Sequence, residues 1–120
     1  MSNYPKAIGA YSVYRIAGDF IFASGQIPLN PQTNELVSGD IATQTKQVLE
    51  NIRGILEENG LNFNHIVKTT VFLADINDFA MMNEVYASFF KAPCPARSAV
   101  AVKDLPKGAK VEIEIIAHKA

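Results

Sequence analysis

Two apolar spacings alternate along the chain, and the switches between them mark out its elements. Residues 11–17 and 20–24 read as two strands joined at Gly18-Asp19. Glycine takes the positive φ of a tight hairpin without a Cβ clash, and aspartate tolerates it better than most residues. The polar stretch 30–40, with Pro31, Asn34 and Gly39, reads as one long surface loop. From there the period lengthens. Ile41, Val48, Ile52, Ile55 and Leu56 recur at helical spacing, with Asp40 placed as N-cap and Gly60 as the C′ residue, so a helix runs to about Asn59. Residues 66–73, rich in Val, Thr, Ile and Phe, read as a third strand. Phe79, Met82, Val85, Tyr86 and Phe89 form the apolar stripe of a shorter helix, capped by Asn77 or Asp78 and running to about Phe90. Residues 96–102 and 111–118 close the chain as strands, with Pro106-Lys107-Gly108 between them.

The order β-β-α-β-α-β-β predicts an α+β fold, one mixed sheet with two helices. Crossovers of one hand put both helices on the same face of the sheet and leave the other face bare. In the last strand Val111, Ile113, Ile115 and Ala117 share one side. Glu112, Glu114, Ile116 and His118 share the other, an acidic start followed by apolar residues. The third strand carries Phe72 on one side and Val71 and Leu73 on the other. A sheet with large apolar residues on both faces needs a second cover. A further copy of the chain supplies it, so the pattern predicts a homo-oligomer of unspecified number.

Composition narrows the class. At 120 residues, residues 1–120 form a single domain, and with 48% hydrophobic and 19% charged residues the chain can build a core. A net charge of −1, a pI of about 6.1 and scattered lysines and arginines argue against a protein held to nucleic acid by a basic surface. No secretory pattern opens the chain and no run approaches a membrane span. Cys94 is the one cysteine, so no internal disulfide forms, and the expected compartment is the cytoplasm.

Conventional catalytic signatures are scarce. The glycines are isolated, which excludes a phosphate-cradling loop or a dinucleotide fingerprint. His65 and His118 share no metal-ligand spacing, so packed or solvent-facing histidines are expected, with no metal and no cofactor. Cys94, between Pro93 and Pro95, has no neighbour to lower its pKa, and nothing marks Lys68 or Lys103 as desolvated. Arg97 is more informative. Ala99 and Ala101 follow it on the same side of their strand, leaving room beside a guanidinium for a small carboxylate held bidentately. An ordinary structural salt bridge is the competing reading. Glu112 is either a solvated strand residue or a carboxylate that orients water at a subunit interface. Tyr11 is either a packed tyrosine or a phenol at a site. Ser24-Gly25-Gln26 ends a strand, where turn chemistry and ligand contact are equally good accounts.

Five segments in this order resemble the RidA/YjgF family: Ala7 to Tyr11, Phe22 to Pro28, Asn83 to Tyr86, Pro95 to Ser98 and Leu105 to Glu114. The resemblance implies a chorismate-mutase-like fold assembled as a homotrimeric barrel, with helices outside and active sites between subunits. It implies hydrolytic deamination of small 2-imino and enamino acids (2-aminoacrylate, 2-iminopropanoate, 2-iminobutanoate) to 2-keto acids and ammonia. Carried over by position, Arg97 matches a carboxylate-binding arginine and Glu112 an acid that positions or activates water from the neighbouring subunit. Tyr11 and Ser24 match pocket residues, Gly25 a backbone contact and Asn83 a further polar position. Two departures stand out: Ala99 where many members carry cysteine, and Gly9-Ala10-Tyr11 in place of Gly-Pro-Tyr. The same arginine would also serve a non-catalytic carboxylate-binding or chaperone-like module. A ribonuclease or translation inhibitor, the family's older naming, fits less well with scattered basic residues and no paired histidines.

Overall fold

A computed structural model describes residues 2–119 of the chain. Five strands, β1 (Tyr14–Ala17), β2 (Phe20–Gln26), β3 (Ile66–Leu73), β4 (Ala96–Ala101) and β5 (Val111–His118), form one sheet in the order β1-β2-β5-β3-β4. Its pairs are antiparallel except β3 with β4, which is parallel. Helix α1 (Ile41–Glu58) links β2 to β3, and α2 (Phe79–Ala87) links β3 to β4. The two helices pack against each other on one face of the sheet.

Local chemistry sets most of the boundaries. Gly18 takes φ +59° in the β1–β2 turn, and Gly60 takes φ +71° just past α1. The Asp40 carboxylate accepts the Thr43 N–H at 2.9 Å, satisfying one of the amides a helix start leaves without a partner. Four boundaries depart from the expectation. β1 begins at Tyr14, because the chain bends at residues 9–11 and again at 13, leaving Tyr11 in a loop. β2 runs on to Gln26, through an irregularity in its pairing with β5 between Ala23 and Gln26. β4 ends one residue early, at Ala101. α2 ends at Ala87, so Phe89 belongs to the turn beyond it. Asp78 caps α2 by position only; it is Asp75 whose carboxylate takes an N–H, that of Asn77, in a preceding 3-10 turn.

The core lies between the helices and the sheet. Val48, Ile52 and Ile55 of α1 meet Ile21 of β2, Val71 of β3 and Val111 and Ile113 of β5, each fully buried. Complete burial of one such side chain is worth about 1.5–3 kcal/mol. Two buried amides tie the loops to α1. Asn51 donates to the carbonyls of Leu29 at 2.9 Å and Ile27 at 3.4 Å. Gln44 donates to the Val37 carbonyl at 3.0 Å and accepts the Lys110 N–H at 2.9 Å.

The N-terminal segment crosses α1 as a strap. The hydroxyls of Tyr4 and Tyr14 both donate to Glu58 Oε2 at 2.6 Å. Asn3 lies against Gly54 so closely that a Cβ there would overlap its carbonyl.

The opposite face of the sheet has no cover in a single chain. Phe20, Phe22 and Val100 are exposed there, beside Ile116, Phe72 and the polar Thr70, Lys68 and Glu114. The alternation expected of β5 holds. Val111, Ile113, Ile115 and Ala117 are buried beneath the helices, and the other four side chains face the open side.

Candidate active site

Glu112 enters the second position of β5 and faces the open side of the sheet, paired across with Phe72 of β3. It is half-buried. Burial raises its carboxyl pKa above the ordinary value, and the charge of Glu114 two residues on adds to the rise. Gly25 explains how a carboxylate fits there: a Cβ at that position would overlap the Glu112 carboxyl group. A close approach, not a positive φ, is what favours glycine while the carboxylate sits there.

Together they border a cavity of about 260 Å³ that also receives Tyr11 and the strap residues Pro5, Lys6 and Ile8. Val13, Ile27 and Leu29 give it an apolar wall, and Pro106 and Lys107 close it from the turn before β5. Lys107 holds φ +59° in that turn. Ser24 adjoins: with Tyr11 it lines a shallower hollow, and its hydroxyl donates to the Ser12 carbonyl at 2.6 Å.

Arg97 stands elsewhere. It lies on β4, an edge strand, directly across from Thr69 of β3, and so shares the helix side of the sheet. Its Nη1 donates to Asn83 Oδ1 of α2 at 2.6 Å. The guanidinium sits over the rings of Tyr86, 4.8 Å from the centroid, and Phe79, 5.5 Å. Among the described residues no carboxylate lies within ion-pair distance of it, so the structural salt bridge is not formed within the chain. The space expected beside Ala99 and Ala101 is on the side of α2, and Ala99 packs against the core.

Thus the chain brings Tyr11, Gly25 and Glu112 together with Ser24 beside them, and Asn83 and Arg97 together, but places the two groups on opposite faces of its sheet. The sequence reading missed the strap and Lys107 as cavity walls. The apolar stripe holds for Tyr86, which is in the core, and for Phe79, which packs against it; what it did not show is their contact with Arg97 beside Asn83. His65 Nδ1 accepts the Asn62 N–H at 3.1 Å, and His118 packs on Phe20. Cys94 is exposed. Among the described residues, no group of three or more His, Cys, Asp or Glu side chains gathers as a metal site, and no helix is long and apolar enough to cross a membrane.

A family model described as Endoribonuclease L-PSP, the RidA/YjgF family, matches residues 1–119. The chain belongs to this family. A RutC family protein of Pyrococcus horikoshii is 56% identical over 117 residues, 98% of this chain and 93% of that protein. An Escherichia coli protein named 2-iminobutanoate/2-iminopropanoate deaminase is 51% identical over 118 residues, 96% of this chain and 91% of that one. The crystal structure of RidA from an Antarctic Psychrobacter superposes with a TM-score of 0.92 at 44% identity, covering 97% of this chain and 94% of that chain. The RidA/YjgF fold expected from the five segments is therefore the fold of this chain.

Proposed function

We propose that this RidA/YjgF protein is an imine deaminase that hydrolyses 2-iminopropanoate, 2-iminobutanoate and the enamine 2-aminoacrylate to 2-keto acids and ammonia. The observation that carries the reading is an arginine whose remaining donors have no partner among the described residues, in a chain 51% identical to a named deaminase over nearly its whole length. The opposite-face placement supports a site built between subunits of a homotrimer. Arg97 and Asn83 come from one subunit; Tyr11, Ser24, Gly25 and Glu112 come from its neighbour.

The chemistry follows from these groups. The guanidinium keeps donors free beyond the one given to Asn83 and takes the substrate carboxylate bidentately, which fixes the C=N carbon. An enamine first takes a proton at its terminal carbon to become the iminium. Water adds to the iminium carbon and passes a proton to Glu112, giving a carbinolamine. That proton goes to the nitrogen, the C–N bond breaks as the hydroxyl proton passes to Glu112 and C=O forms, and ammonia leaves with the proton Glu112 then gives up. A raised pKa suits a group that both accepts and returns a proton near neutrality. The reaction requires an oriented water and one proton carrier, which these residues supply. The proposed compartment is the cytoplasm, and the proposed partners are small imino acids and further copies of the chain, with neither nucleic acid nor membrane.

The test is a coupled assay in which a threonine or serine dehydratase generates the imine in the presence of semicarbazide. Wild-type protein is expected to suppress semicarbazone formation and Arg97→Ala to lose that effect. Glu112→Ala is expected to bind the keto acid product yet turn over slowly. No suppression by wild type with several amino-acid-derived imines would leave a non-catalytic carboxylate-binding module as the better account.

A further inference from the structure

We infer that Tyr86 is a positioning residue for the carboxylate anchor, holding the Arg97 guanidinium through an aromatic shelf that Thr69 fixes in place. The inference rests on the carboxylate-binding role proposed for Arg97 and adds the machinery that would make it directional.

Three observations converge. Arg97 is solvent-exposed on an edge strand, so nothing in the sheet itself restrains a side chain with several rotatable bonds. Its guanidinium lies 4.8 Å from the Tyr86 ring centroid, within cation–π range and closer than to Phe79. Tyr86 is in turn immobile: it is 5% exposed, its ring packs on Phe90 at 4.5 Å, and its hydroxyl is 2.8 Å from the buried Thr69 hydroxyl. Thr69 is the residue directly across from Arg97 in the β3–β4 pair. The phenol is thus fastened to the strand neighbour of the arginine it carries. Helix, strand and guanidinium are held in one register.

The shelf uses a part of the guanidinium that substrate does not need. The guanidinium carbon lies over the Tyr86 ring at 4.8 Å, Asn83 takes one N–H, and the other donors remain for a carboxylate. Phe79 extends the shelf at 5.5 Å.

Because Tyr86 acts through Arg97, its loss should weaken carboxylate capture more than the chemical step. For Tyr86→Leu, KM is expected to rise about tenfold with kcat within about twofold of wild type, the size of a partly desolvated cation–π contact. Tyr86→Phe and Thr69→Val each cut the same hydrogen bond and leave a ring in place; each is expected to raise KM about threefold, with the pair no worse than either alone. In an Arg97→Ala background, Tyr86→Leu is expected to add nothing.

Affinity for 2-oxobutanoate, titrated calorimetrically, should follow the KM pattern. Additive effects across either double variant, or a loss confined to kcat, would overturn the inference while leaving deaminase activity in place. Should wild type show no turnover, the proposed function fails, and the same coupling read from 2-oxobutanoate affinity decides the shelf. Wild type that neither turns over nor binds 2-oxobutanoate would sink both. Should Tyr86→Leu fail to fold, the Tyr86→Phe and Thr69→Val pair decides.

Discussion

Gly25 and Glu112 share a space that only one side chain can fill. A methyl group at residue 25 would meet the flexible end of Glu112, not backbone, so the protein can yield by swinging the carboxylate away. Gly25→Ala is expected to change unfolding free energy by less than about 1 kcal/mol, as for a substitution whose clash is relieved by a side chain. Deaminase kcat is expected to fall at least about tenfold, the loss of a displaced proton carrier. Chemical denaturation beside the coupled assay separates the two, and a variant of full activity would show that Glu112 does not work from that position. The raised pKa of Glu112 has a thermodynamic signature as well. Burial, with Glu114 beside it, penalises the ionised form in the folded state only. At low pH both folded and unfolded chains carry the proton and there is no penalty. As pH rises from the ordinary carboxylate range through the raised folded value, the native state loses stability. Glu112→Gln should therefore melt higher than wild type at about pH 7, with the gain fading toward about pH 3. A gain independent of pH would assign the effect to packing.

Among the elements, α1 shows how one position can reverse an ordinary expectation. Replacing an interior helical glycine by alanine usually stabilises a helix by about 1 kcal/mol. At Gly54 the new methyl would overlap the Asn3 backbone, which cannot move without lifting the strap. Gly54→Ala is expected to bring no net stabilisation and to hasten tryptic cleavage after Lys6, whose carbonyl is otherwise held by Asn34; a stabilised, protease-resistant variant would refute the packing account. Elements of this kind are where the sequence was least legible. Asp40, Gly18 and Gly60 announced their turns and caps because one residue's own backbone or side chain decides them. Asn51 and Gln44 did not, since an amide on the apolar side of a helix is explained only by backbone partners in distant loops, Leu29 for Asn51 and the Lys110 N–H for Gln44. Tyr86 was legible as apolar and illegible as a shelf, because Arg97 reaches it through a parallel strand pairing that no local spacing encodes.

At the level of the molecule, the open face of the sheet was the most informative prediction. Alternation in β5 assigned its two sides correctly, and Phe20, Phe22 and Val100 stand exposed on the side without helices. Leaving such a surface wet is costly, which is the physical case for the proposed trimer. What the alternation did not reveal was that Arg97 and Glu112 face opposite ways, since that depends on how β4 is placed beside β3. Their separation has a genetic consequence. If each site takes its arginine from one subunit and its glutamate from the next, two impaired chains can repair one another. Arg97→Ala and Glu112→Gln, each strongly impaired alone, should regain activity when co-expressed and assembled at random. In an equal mixture, about one quarter of the sites would receive an intact copy of both residues. Activity near that fraction of wild type would mean that catalysis belongs to the junction between chains; no gain over either alone would mean that each chain must complete its own site.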